Sequence, residues 1–128
     1  MERIFLDANV LFSAAYRSDA GLLALWRRVD IALLTSAHAV EEARRNLSGD
    51  DQRQRLNGLV RKCEIVATPT VTGLPEGVLP PGDRLILLAA MAAHATHLLT
   101  GDRAHFGPYY GRTIAGVLIL PPSAYLRD

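Results

Sequence analysis

The sequence predicts an α/β fold: a mainly parallel central β-sheet with helices on both faces, in one domain over residues 1–128. Three observations carry this reading. Strand-length apolar runs alternate with segments whose apolar residues recur at helical spacing, the order of right-handed βαβ units. The 128 residues are one domain's length and suffice to hide most of their apolar surface. Hydrophobic residues make up 49% of the chain and charged ones only 21%, a balance that excludes extended disorder.

The elements follow in order. Residues 3–6 (Arg-Ile-Phe-Leu) read as a strand that ends at Asp7, and Ala8 to Ala15 as a short helix. Leu22, Leu25, Trp26 and Val29 fall at i, i+3, i+4 and i+7, one apolar face of a second helix. Ile31 to Leu34 is the next strand, closed by Thr35 and Ser36, either of which can cap the helix that follows. In that helix Ala39, Ala43 and Leu47 share a face, with His38, Glu42 and Arg45 towards another. Leu56, Leu59, Val60 and Cys63 repeat the helical spacing after an acidic start at Asp50 and Asp51, which suits the helix dipole. Glu64 to Ala67 is a short strand. From Thr68 to Gly82 four prolines and three glycines mark a loop. Leu85 to Ala93 is apolar all round, as a buried helix is. His97 to Thr100 is a strand stopping at Gly101-Asp102, and Ile114 to Leu120 is a last strand cut off by Pro121-Pro122.

Composition narrows the function classes. The run from Leu85 to Ala93 falls well short of the roughly 20 residues that cross a bilayer, so no membrane partner is expected. The opening Met-Glu-Arg-Ile-Phe-Leu-Asp does not read as a signal peptide, and a lone cysteine, Cys63, suits a reducing compartment; a cytoplasmic location is expected. A formal net charge of +1 announces no general attraction to nucleic acid. Basic character is almost all arginine, with Lys62 the only lysine.

Chemistry enters through four acids. Asp7 directly follows the first strand and Asp102 follows the strand at 97–100 by two residues. If these strands are parallel, both carboxylates stand at the same sheet edge, where α/β sheets bind ligands. Asp83 begins the buried helix, and Glu42 lies within two turns of the start of its own. Carboxylates gathered at one rim repel one another unless a cation lies between them. An all-oxygen donor set favours Mg2+ or Mn2+ over zinc. Such an ion makes a bound water a better nucleophile and offsets charge on the leaving oxygen of a phosphodiester. Taken singly, each acid also has an ordinary structural use. Asp7 and Asp83 can cap helices, Asp102 can serve a turn, and Glu42 can pair on a helix surface with Arg45 or Asn46. The joint pattern is what points to a metal site.

That pattern resembles the PIN-domain family. Ile4-Phe-Leu-Asp-Ala-Asn-Val-Leu-Phe-Ser is similar to the family's opening strand with its Asp-x-Asn signature, on Asp7 and Asn9. Leu34 to Leu47 resembles the segment of the second acid, where Glu-x-Arg-Arg-x-Leu selects Glu42 over Glu41. Gly82 to Ala90 resembles the helix bearing the third acid, Asp83. Leu98 to Phe106 resembles the Thr-x-Asp element, with Thr100 and Asp102. The resemblance runs through Val117-Leu-Ile-Leu, almost the whole chain. One departure stands out: many relatives carry another acid shortly after Thr-x-Asp, and here Ala104 and His105 follow, leaving four candidate carboxylates. The resemblance implies a Mg2+- or Mn2+-dependent endoribonuclease acting on RNA, with Asp7, Glu42, Asp83 and Asp102 as catalytic metal ligands. Many relatives of this size are toxins of VapBC-type toxin–antitoxin pairs, held inactive by a small antitoxin protein and often homodimeric.

Asn9 and Thr100 would orient the ligands by hydrogen bonding, or else serve local turns. Arg84 and Arg103 each adjoin an acid and can grip phosphate or balance charge. His94, His97 and His105 are assigned no role, and His38 with Glu42 is a poor zinc signal. Tyr109 and Tyr110 can stack on bases or pack the sheet edge. The apolar stripe Leu22, Leu25 and Trp26 can serve a dimer or an antitoxin groove, or simply the core. Two other classes compete. A catalytically inert PIN-like module binding RNA or protein would bind no ion through its acids. A phosphotransfer domain of the haloacid-dehalogenase or response-receiver type fits Asp7. The phosphatase pattern wants a second aspartate where this chain has Asn9, and both types need a lysine late in the chain, for which Lys62 is the only candidate.

Overall fold

The computed structural model describes residues 1–69 and 79–127. Its strands are β1 (Glu2–Leu6), β2 (Ile31–Ser36), β3 (Glu64–Val66), β4 (His97–Leu99), β5 (Thr113–Ile114) and β6 (Val117–Leu120). The helices are α1 (Ala8–Tyr16), α2 (Ala24–Arg27), α3 (Ala37–Asn46), α4 (Asp50–Val60), α5 (Pro81–Ala92) and α6 (Pro122–Leu126). The architecture is α/β. Six strands form one sheet in the order β3-β2-β1-β4-β6-β5, parallel except for the β5–β6 pair.

β1 lies at the centre because its side chains are apolar on both faces. Ile4, Phe5 and Leu6 are all fully buried, and successive strand residues point to opposite sides, so the sheet is covered on both. α1 turns Val10, Leu11, Ala14 and Ala15 inward. α3 buries Ala39, Val40 and Ala43, small side chains that let it sit close to α1. Ser36 caps α3 by accepting the Ala39 N–H at 3.2 Å. α4 begins at Asp50 and Asp51, where the Gln52 side chain accepts the Gly49 N–H at 3.0 Å. α5, with Ile86 to Ala90 buried, packs against β2 and β4. The chain moves one way from β1 through β2 to β3, then returns to the other side of β1 at β4. With right-handed crossovers that reversal carries α5 to the opposite face from α1, α3 and α4. The crevice between β1 and β4 is the switch point of the sheet.

Three elements differ from the sequence reading. The stripe at 22–29 is not one helix. A 3-10 turn at Gly21–Leu23 leads into the single turn of α2, and Arg28 is already extended. Pairing of Ile31 with Glu2 pulls the chain into β2, an Arg28–Asp30 ion pair of 2.7 Å braces the bend, and Val29 is left 92% exposed. The final strand is a hairpin, in which Ala115 (φ 50°) and Gly116 (φ 86°) make a two-residue turn between β5 and β6. Pro121-Pro122 end that strand as expected, but beyond it stands a helix the sequence reading lacks: Pro122 opens α6, a position where its missing N–H costs nothing. The central part of the expected loop, residues 70–78, lies outside the described residues. No helix among the described residues is long and apolar enough to cross a membrane.

Candidate metal centre

The register of the sheet sets the first pair of groups. Leu6 of β1 stands opposite Leu99 of β4, so Asp7 and Thr100 leave the sheet side by side. The Asp7 N–H donates to Leu99 O at 3.1 Å and the Thr100 N–H to Leu120 O at 3.1 Å, extending the ladder by one residue on each strand. Asp7 is 4% exposed and Thr100 fully buried. Asp7 Oδ1 accepts the Ala8 N–H at 2.7 Å, as the residue that caps α1. Its Oδ2 accepts the Thr100 hydroxyl at 2.8 Å and the Asn9 amide at 3.2 Å.

Thr100 and Asn9 are the hubs of the turn that follows. Thr100 Oγ1 also accepts the Asp102 N–H at 3.1 Å, so the residue that holds Asp7 in place also aims Asp102. Asn9 Oδ1 accepts the Gly101 N–H at 2.7 Å. A side chain at 101 would bring its Cβ to 3.3 Å from that oxygen, so Asn9 would have to shift by a few tenths of an ångström. Tyr110 donates its hydroxyl to Thr100 O at 2.7 Å, so this ring braces the turn, in line with packing at the sheet edge.

The other acids approach from separate elements. Asp83 lies in the first turn of α5, which starts at Pro81, so it is the third helical residue and not the cap. Asp102 accepts the His105 N–H on Oδ1 at 3.1 Å, a turn bond it makes in addition to facing the site. His105 Nδ1 lies 2.8 Å from Asp83 Oδ2 and 3.0 Å from Asp102 Oδ2. One ligand atom from each of Asp83, Asp102 and His105 falls within 4.8 Å of the other two. Glu42, half-buried on α3, is near enough that its charge acts on both Asp7 and Asp83. Its neighbour Glu41 is exposed and pairs with Arg44 at 3.5 Å.

Electrostatics register the crowding. Burial raises the Asp7 pKa to about 6, against the hydrogen bonds from Thr100 and Ala8 that favour its ionised form; the charges of Asp83 and Glu42 push it further up. Burial likewise raises Asp83, helped by Asp102 and Glu42 and opposed by His105. Tyr110 is raised by burial and by the nearby Asp102 and Asp7 charges, with Arg103 acting the other way. Acids held together against their own repulsion are a donor set for a small divalent cation. The ring nitrogen seated between two of them marks a position at which positive charge is favoured.

The structure thus brings Asp83 and Asp102 together at His105, with Asp7 and Glu42 within electrostatic range and Asn9 and Thr100 bonded to Asp7. Sequence reasoning assigns His105 no role. The i to i+3 spacing within the turn could have pointed it at Asp102, but its contact with Asp83 spans two elements. His94 (φ 56°) ends α5, and His97 packs edge-on against Tyr125 at 5.0 Å, both structural positions. Leu25 is fully buried, and Trp26 donates its indole N–H to Leu59 O at 3.0 Å, so that stripe is largely core.

A family model described as PIN domain matches residues 3–104. The chain therefore belongs to the PIN-domain family, whose members are typically nucleases and generally use a divalent metal. It is similar to a chain in the crystal structure of VapBC2 from Rickettsia felis bound to a DNA fragment from their promoter. That match has a TM-score of 0.64 and 16% identity over 93% of this chain and 98% of that one. It is also similar to a chain of FitAB bound to an IR36 DNA fragment, with a TM-score of 0.53 and 19% identity over 93% and 94% of the two chains. At such identities the likeness is one of fold. No curated protein matches the sequence.

Proposed function

We propose that residues 1–128 form one PIN-type nuclease domain that hydrolyses RNA phosphodiester bonds internally, with Mg2+ or Mn2+ held by Asp7, Glu42, Asp83 and Asp102. The observation that carries this reading is the convergence of three acids from β1, α5 and the turn after β4 at the switch point of the sheet, within the electrostatic reach of Glu42. Bound there, the cation would lower the pKa of a water and offset negative charge on the leaving oxygen.

The chain's own residues have distinct parts in this. Thr100 Oγ1 donates to the Asp7 carboxylate and accepts the Asp102 backbone N–H, so one fully buried hydroxyl ties the two residues together. Asn9 ties the Asp7 side chain to the backbone of the opposite turn at Gly101. Arg84 and Arg103 adjoin Asp83 and Asp102 in sequence and supply the guanidinium groups suited to phosphate.

We further propose a protein antitoxin as partner, a reading supported by the VapBC2 and FitAB chains that share this fold. A cleft of about 380 Å3 between the 3-10 turn and α4 supports it also. Leu23 and Leu59 line that cleft beside Arg55, Arg61 and Lys62, which suits an acidic, partly apolar segment. The chemistry is tested by incubating total RNA with the protein and Mn2+, with chelator, and with Asp7→Asn. Cleavage should need the ion and be lost in the variant. Intact RNA after incubation with folded, Mn2+-saturated protein would reject the nuclease reading in favour of an inert binding module.

A further inference from the structure

His105 has no part in the chemistry above, yet its ring nitrogen lies within 3.0 Å of two of the acids. Nδ1 carries at most one proton, so it can make one straight hydrogen bond; at 2.8 Å from Asp83 Oδ2 and 3.0 Å from Asp102 Oδ2 it faces two acceptors. Two donors that share one small divalent cation stand about 3 Å apart, so these separations also suit atoms that hold a common ion. The backbone holds the ring in this place. The His105 N–H is bound to Asp102 Oδ1 at 3.1 Å, the Phe106 N–H to Asp102 O at 2.9 Å, and the Phe106 side chain is fully buried. The ring is about half exposed.

We propose that His105 Nδ1 is a direct ligand beside Asp83 and Asp102, which biases the site towards first-row transition ions over Mg2+. The proposal rests on the metal-dependent reading above and adds the identity of the ion. Mg2+ takes oxygen ligands and gains little from imidazole, while affinity at a mixed nitrogen and oxygen site rises from Mn2+ to Co2+.

The test is calorimetric titration of the whole chain, and of His105→Gln, with Mg2+, Mn2+ and Co2+. Pulsed EPR of the Mn2+-loaded proteins reads nitrogen coupling directly. Glutamine can still donate a hydrogen bond to either carboxylate but is no nitrogen ligand. The wild-type protein should bind Co2+ tightest and Mg2+ weakest, and show 14N coupling to Mn2+. In His105→Gln that coupling should vanish and Co2+ binding weaken about tenfold or more, while Mg2+ binding changes less than about threefold. His105→Glu, which restores an oxygen donor, should bring the Mg2+ and Co2+ affinities closer together. An unchanged ion preference in a folded, RNA-cleaving His105→Gln protein overturns the role of His105 and leaves the nuclease reading standing. A wild-type chain that binds none of the three ions overturns both.

Discussion

Asp7 carries two demands on one carboxylate. Oδ1 caps α1 through the Ala8 N–H, and Oδ2 is bound by Thr100 and Asn9, so no rotamer freedom is left to the side chain. Holding it ionised and buried beside Asp83 and Glu42 is unfavourable, which is what raises its pKa to about 6. An unfolded aspartate loses its proton near pH 4. Between those values the folded chain keeps a proton that the unfolded chain has lost. This group therefore stabilises the fold most at low pH, and its contribution falls as pH rises through about 6. Without divalent ions, the wild-type protein should lose about 1 kcal/mol of stability from Asp7 between pH 5 and pH 7. Asp7→Asn should lack that component while abolishing cleavage, which denaturant melts at the two pH values would reveal. Identical pH slopes in the two proteins would mean that Asp7 is not buried in charged form. At this scale the sequence was partly legible: the strand-ending aspartate and its Asn9 partner could be read, but not the shared hydroxyl of Thr100.

The helices and central strands follow from apolar spacing, since burial on one or both faces sets the period of the pattern. Misreadings fall where pairing between elements overrides local pattern. Seven residues from Ile114 to Leu120 look like one strand because Ala115-Gly116 offers only a weak turn signal. The chain nevertheless reverses there, with both turn residues at positive φ. That geometry matches the twist of a hairpin and is strained for alanine, which has a Cβ. Ala115→Gly should raise stability by about 0.5–1 kcal/mol, measured by chemical denaturation, with no effect on RNA cleavage. A loss of stability would show that the turn adopts another form. The 22–29 stripe fails in the same way, because the pull of β2 onto β1 ends the helix after one turn.

For the whole molecule, the strand order decides the chemistry. With β1 between β2 and β4, the ends of β1 and β4 share one edge, and α5 returns its first turn to the same place. A cation bound there would relieve the repulsion that apo folding leaves in the site, and binding to the native state alone raises stability by mass action. Mn2+ at about a hundred times its Kd should stabilise the chain by about 2.7 kcal/mol, a rise of several degrees in Tm that chelator reverses. Asp83→Asn should remove most of that rise. Equal shifts in wild type and variant would place the ion elsewhere.

By itself the sequence determined the α/β class, the central apolar strand, and the acids Asp7, Glu42, Asp83 and Asp102 as a set worth bringing together, because burial and strand ends leave periodic, local traces. Only the tertiary structure decided the register that sets Asp7 beside Thr100 and the seat of His105 between Asp83 and Asp102. Those are contacts between elements far apart in the chain, and the free energy that selects them comes from packing the whole sheet, not from any segment alone.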